Sequence, residues 1–198
     1  MYGIGVRRVA TALVTASAAT LLMTACQPGG SPAGAGSSPP GAPVKPAAST
    51  GAKACGVSDL NASMRQAAVR PDGTGTGATV VEFTNVSGKA CTVRGYPTVA
   101  GAGNGSPQKN RPLKVTTTGT ASTVKIAPGG KAWTKLTFVQ VQGEADGYCK
   151  SGATPAGYPT LVVGVPGAGA HQVALTDGVI AECDDKVTVT ALSSAKPS

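Results

Sequence analysis

The chain has 198 residues, 17 Lys or Arg against 9 Asp or Glu, and a formal net charge of +8. That length fits one folded domain plus a tail and argues against two domains. Hydrophobic residues reach 41% but aromatics only 4%, so a core has to be built from Val, Leu, Ile and Ala.

The first element is an export signal. Arg7 and Arg8 form a positive start, Val9 to Met23 is apolar without a charge, and the small residues Thr24 and Ala25 precede Cys26. These are the three parts of a secretory signal. Leu21-Leu22-Met23-Thr24-Ala25-Cys26 resembles the lipobox of bacterial lipoproteins, with Met23 where Leu is usual. The resemblance implies a signal peptide over 1–25, removed by cleavage, and a diacylglyceryl group on Cys26 with acyl chains such as palmitate. The membrane-lipid anchor would then hold the chain on the outer face of the cytoplasmic membrane. One buried acyl chain holds only marginally, at about 0.8 kcal/mol per CH₂, so stable anchoring needs two. The competing reading, an uncleaved span, has only the 17 residues Val9 to Ala25, the short end for a membrane helix. Export also removes nucleic acid from the partners of a basic chain, and from Cys55 onward the balance of 13 basic to 9 acidic residues is a mild +4.

Residues 26–54 are the anchoring cysteine and a disordered linker. Of the 28 residues from Gln27 to Ala54, 23 are Ala, Gly, Pro or Ser, too little apolar surface to offset ordering entropy. Such a flexible chain spans roughly 30 Å, enough to lift a domain off the membrane. The remaining cysteines, Cys55, Cys91, Cys149 and Cys183, are an even number in an oxidising compartment and read as two disulfides. Three connectivities exist. Cys55–Cys91 and Cys149–Cys183 is preferred because each pair flanks a compact run of predicted strands, closing loops worth roughly 3–4 kcal/mol each. No Cys/His spacing suggests a metal.

From Cys55 to Leu192 the chain is a succession of short period-two segments separated by Gly, Pro and Asn. Ser58 to Val69 fits either a helix or a first strand. Strands are expected at Ala78–Thr84, at Cys91–Ala100 with an interruption at Gly95-Tyr96-Pro97, and at Leu113–Thr118. Thr123–Ala127 and Lys131–Val141 flank Pro128-Gly129-Gly130, a hairpin signal. Thr160–Val165, His171–Leu175 and Lys186–Leu192 complete the set. The pattern predicts an all-β fold, an immunoglobulin-like antiparallel β-sandwich of seven to nine strands over 55–192, followed by a disordered tail at 193–198. Trp133 and Phe138 are expected to pack in the core or on a sheet.

Several spaced markers carry a family resemblance: Cys55, Asn85, Cys91 followed by Gly95-Tyr96-Pro97, Ala127-Pro128-Gly129-Gly130-Lys131-Ala132, Cys149, and Cys183 before a last strand. Behind a lipobox and a low-complexity linker, this resembles the actinobacterial domain-of-unknown-function 4232 family. The resemblance implies a secreted or lipidated β-sandwich in a high-GC Gram-positive organism and brings no catalytic residue with it.

No constellation in the sequence points to catalysis. A hydrolase nucleophile needs a base, and His171 is the one histidine, expected on the surface or lightly packed, with no nucleophile elbow. A glycosidase needs two facing carboxylates. Glu82, Glu144, Asp146, Glu182, Asp184 and Asp185 are available, but the last three bracket Cys183 as solvated loop charges would. Glu144, Asp146, Asp184 and Asp185 lack the spacing of a calcium loop, and Met64 and His171 are too few for copper. Gly101 to Gly105 is a turn, not a phosphate loop. Lys109, Arg111 and Lys114 form a basic loop suited to polyanion contact, against the alternative of a solvated loop. The sequence therefore predicts a non-enzymatic, cofactor-free binding or accessory module for an envelope protein or wall polymer. A wall-directed hydrolase, or a sensor module for a membrane signalling protein, is the alternative.

Overall fold

The computed structural model describes residues 51–69, 71, 75–143, 147–176 and 178–198. The signal, Cys26 and most of the linker lie outside these residues, as do Glu144 and Asp146.

A 3₁₀ turn, Val57–Asp59, leads into β1 (Leu60–Gln66). Then come β2 (Thr76–Asn85), β3 (Cys91–Arg94), β4 (Thr98–Ala102), β5 (Asn110–Pro112), β6 (Lys114–Thr118) and β7 (Thr123–Ile126). The chain continues through β8 (Lys131–Val139), β9 (Ala156–Tyr158), β10 (Thr160–Val165), β11 (Gly169–Ala174), β12 (Ile180–Glu182) and β13 (Lys186–Thr190). One sheet has the order β1-β2-β8-β13-β6 and a second β11-β10-β4-β5, with two-stranded pairs β12-β9 and β3-β7 beside them.

Alternation decides which side chains face inward. Val81 and Phe83 of β2, Leu136 of β8, and Val187 and Val189 of β13 share one buried cluster with Val99 of β4, Leu161 and Val163 of β10, and Val173 of β11. The inner faces of both large sheets thus close one largely aliphatic core, the sandwich that the strand pattern predicts.

Two expectations need correction, and one open choice is decided. Of the two readings of Ser58–Val69, the structure takes the strand and not the helix. Asp59 accepts the Gly56 N–H at 2.8 Å and closes a single turn, after which Leu60, Ala62 and Met64 point into the core with a period of two. Pro128-Gly129-Gly130 makes a turn but not a hairpin, because β7 pairs with β3 and β8 with β2. Asn85 takes the backbone of that turn instead: Gly129 N–H donates to its carbonyl at 2.8 Å, and its own N–H donates to Gly130 at 2.9 Å. The strands also number thirteen among the described residues, not seven to nine: the expected strand Cys91–Ala100 divides where the chain changes sheet, and the three-residue strands β5, β9 and β12 fall outside every expected segment. Gly95, at φ +102°, separates β3 from β4, and Leu113 separates β5, on β4, from β6, on β13. The β6–β13 pair is parallel, unlike the antiparallel pairs around it.

The structure joins Cys55 to Cys91 and Cys149 to Cys183, the pairing preferred from the strand runs. Segment 193–198 continues along β8: Ser193 exchanges backbone hydrogen bonds with Trp133, and Lys135 Nζ donates to the Ser198 carbonyl at 2.8 Å.

Candidate functional site

Of the basic loop residues, Lys109 and Lys114 are exposed, and Arg111 forms an ion pair with Asp185. The parallel register sets Lys114 directly against Lys186, also exposed. Like charges opposite one another on neighbouring strands repel and cost stability. The four ion pairs among the described residues engage Lys53, Arg65, Arg111 and Lys131, not Lys114 or Lys186.

These two lysines begin the outer face of the five-stranded sheet. One row further along, Thr116, Thr188 and Thr137 lie side by side on three strands. With Thr76 and Lys186 they line an open groove of about 250 Å³. The adjoining groove, about 310 Å³, is lined by Thr118, Thr190, Ser193 and Trp133 among others. Beyond it Trp133 covers a small outer cluster of Ala67, Ala78 and Val80. Phe138 faces the other way, packing on the core and over Gly77, where an added Cβ would lie 2.5 Å from its ring. Both aromatics therefore pack as expected, Phe138 on the core and Trp133 on the sheet surface.

The carboxylates have separate fates. Glu82 Oε1 accepts from Lys131 Nζ at 2.6 Å and its Oε2 from Trp133 Nε1 at 3.1 Å, with Arg65 at 3.6 Å. The Lys131 hydrogen bond outweighs partial burial and holds this carboxyl below its ordinary 4.5. Asp184 Oδ1 accepts from Ser151 Oγ at 2.7 Å. Asp185 Oδ1 accepts from Tyr158 Oη at 3.3 Å, opposite its contact with Arg111. Both aspartates have positive φ, 72° and 52°, in the tight β12–β13 connection, a backbone region that Asp tolerates better than most side chains.

Glu182 is not a solvated loop charge. It ends β12 with 0% exposure, held by pairing to Ala156 and Gln140 and followed by the buried Cys183. Neither carboxyl oxygen has a hydrogen-bond partner among the described residues. Burial, and then the neighbouring Asp185 charge, push its pKa up. Burial also raises the Tyr158 phenol beside it. The sequence signal was parity: Ile180 and Glu182 fall on the same face of a short strand, and Ile180 is core.

His171 is half-buried, the lightly packed alternative of the expectation. Its ring meets the buried Phe83 edge-on at 5.8 Å. Its Nε2 is buried without a hydrogen-bond partner among the described residues, and burial lowers its pKa. It has no nucleophile hydrogen-bonded to it among the described residues. Nor do these residues contain a group of three or more His, Cys, Asp or Glu side chains placed to hold a metal.

The family model described as Domain of unknown function (DUF4232) matches residues 55–193. The chain belongs to this family. No curated protein matches it. In this DUF4232 domain the marker residues hold the fold. Asn85 is 1% exposed; its Nδ2 donates to Lys89 and Ile126 carbonyls at 2.8 and 3.0 Å, and its Oδ1 accepts from Ser87 N–H at 2.9 Å. Tyr96 Oη donates to the Gly119 carbonyl at 2.6 Å, bracing the sheet change at Gly95-Tyr96-Pro97.

Proposed function

We propose that this DUF4232 chain is a lipid-anchored, extracytoplasmic binding or accessory module without enzymatic activity, held through Cys26 on the outer face of the cytoplasmic membrane and presenting its sandwich to an envelope protein or wall polymer. The observation that supports binding over hydrolysis is the state of the acids. Each of the five among the described residues is engaged or sealed: Asp59 caps a turn, Glu82, Asp184 and Asp185 have partners, and Glu182 is buried. A glycosidase needs one free base and one acid across an accessible cleft. The two disulfides are consistent with an oxidising compartment.

The test has two steps. Intact mass of the membrane-extracted protein should show loss of residues 1–25 and a diacylglyceryl adduct on Cys26; a free Cys26 thiol or a retained Met1 refutes the anchor. Cross-linking in native membranes, followed by mass spectrometry, should then recover a stoichiometric envelope protein or wall fragments. Turnover of wall polymer by the purified chain would replace this reading with the hydrolase.

A further inference from the structure

The outer face of the five-stranded sheet combines two features that an intramolecular role does not explain. The first is the facing pair Lys114 and Lys186, both exposed and outside the ion pairs of the described residues. Neighbouring strands run about 4.8 Å apart, so the two stems leave the sheet side by side. Their ammoniums can relieve the repulsion by sharing an anion. The second is the hydroxyl surface beside them. Thr134 and Thr190 turn their hydroxyls to the protein, where Thr134 donates to the Thr190 carbonyl at 2.8 Å and Thr190 accepts the Lys135 N–H at 2.9 Å. Thr76, Thr116, Thr137 and Thr188 instead line the open groove next to Lys186, together with the apolar Val139 and Val187.

The charge type narrows the ligand. A lysine pair selects an anion and can hold a phosphate by point charge, without the two-bond geometry that an arginine fork offers to carboxylate and phosphate alike. Here the fork of Arg111 is already engaged by the Asp185 carboxylate, and the free pair is lysine. Threonine hydroxyls on a flat pleat can donate to and accept from polyol hydroxyls without demanding one sequence of repeats.

We propose that this face binds a phosphodiester-linked polyol wall polymer, with a phosphate between Lys114 and Lys186 and the polyol units along the threonine groove. The proposal rests on the binding-module reading and names the ligand class and residues for it. Electrostatic capture of this kind weakens as salt rises.

The test uses the full chain in a non-ionic detergent and fluorescently labelled poly(glycerol phosphate), with anisotropy read at several salt concentrations. The expected result is saturable binding that salt weakens. It should fall at least about tenfold in the Lys114→Glu/Lys186→Glu double variant and hold within about twofold in Lys125→Glu, a charge reversal on β7. Circular dichroism and thermal melting confirm that each variant is folded. Wild-type affinity in the double variant overturns the proposal, as does equal loss in Lys125→Glu or equal binding of uncharged dextran. Preferential binding to phosphatidylglycerol vesicles through the same lysines overturns the occupant. If no polymer binds while an envelope protein still co-purifies with the native chain, this inference fails and the module reading stands; if neither is recovered, both fail.

Discussion

Replacing Glu182 with glutamine isolates the energetics of its buried carboxyl. The side chain is fully buried, neither oxygen is hydrogen-bonded among the described residues, and both burial and Asp185 favour its protonated form. The folded-state pKa therefore lies above the ordinary 4.5. Between those two values the folded chain holds a proton that the unfolded chain has lost, so stability is fullest below pH 4.5 and declines as pH rises toward the folded pKa. One proton sets the slope at no more than about 1.4 kcal/mol per pH unit. Glutamine keeps the shape and leaves a buried amide, whose cost of about 1–3 kcal/mol does not vary with pH. Urea unfolding of both proteins at several values from pH 4 to 7.5 gives the difference in ΔG. It should stay constant near pH 4 and move in favour of Glu182→Gln as pH rises above 4.5. Two groups bias the absolute curves and cancel in that difference. Burial lowers the His171 pKa, so its contribution improves as pH rises toward 6.5; Glu82, lowered chiefly by Lys131, loses its contribution as pH falls below 4.5. A difference that is flat across the whole range would refute the assignment of a buried, proton-holding Glu182.

Asn85→Ala removes donors to two carbonyls and an acceptor for Ser87 and should cost about 2–3 kcal/mol by denaturant titration; a loss under about 0.5 kcal/mol would mean water replaces the amide. At Gly101 an added Cβ would lie 2.2 Å from the Tyr158 ring. Gly101→Ala should therefore destabilise by about 1–3 kcal/mol, more than Tyr158→Phe, which removes only the hydrogen bond to Asp185; the reverse order of melting temperatures would contradict that packing. Lys186→Glu turns the Lys114 contact from repulsive to attractive and should raise stability by about 0.2–1 kcal/mol at low salt, the gain shrinking as salt is added. A lower melting temperature at low salt would show that the two ammoniums do not interact.

The strands that carry the core were legible because their signal is local. Thr160–Val165 and Lys131–Val139 alternate as written, and their inward residues are core. What each strand pairs with was not local. Pro128-Gly129-Gly130 looks like a hairpin in sequence, but a turn fixes only its own geometry, and here its N–H and C=O groups belong to Asn85, more than forty residues earlier. The same limit hid Glu182. Three acids around a cysteine read as solvent-facing, and the parity of Glu182 with Ile180 carries weight only once β12 is seen to pair with β9.

The basic loop shows how non-local pairing redistributes charge. Lys109, Arg111 and Lys114 are close in sequence, yet Leu113 turns inward between β5 and β6 and leaves Arg111 on one sheet and Lys114 on the other, with Lys109 before both. Arg111 is neutralised by Asp185, so it adds little to an external field at short range. Lys114 gains in its place a cation that no local pattern could supply, Lys186, seventy-two positions later in the chain. A patch read from sequence as three linked charges is in the fold one free pair assembled by the parallel strands. Its two members are contributed by different segments, so reversing either lysine alone should weaken polyanion capture, whereas reversing Arg111 should act mainly through stability. That asymmetry separates a built pair from a loop that is merely basic.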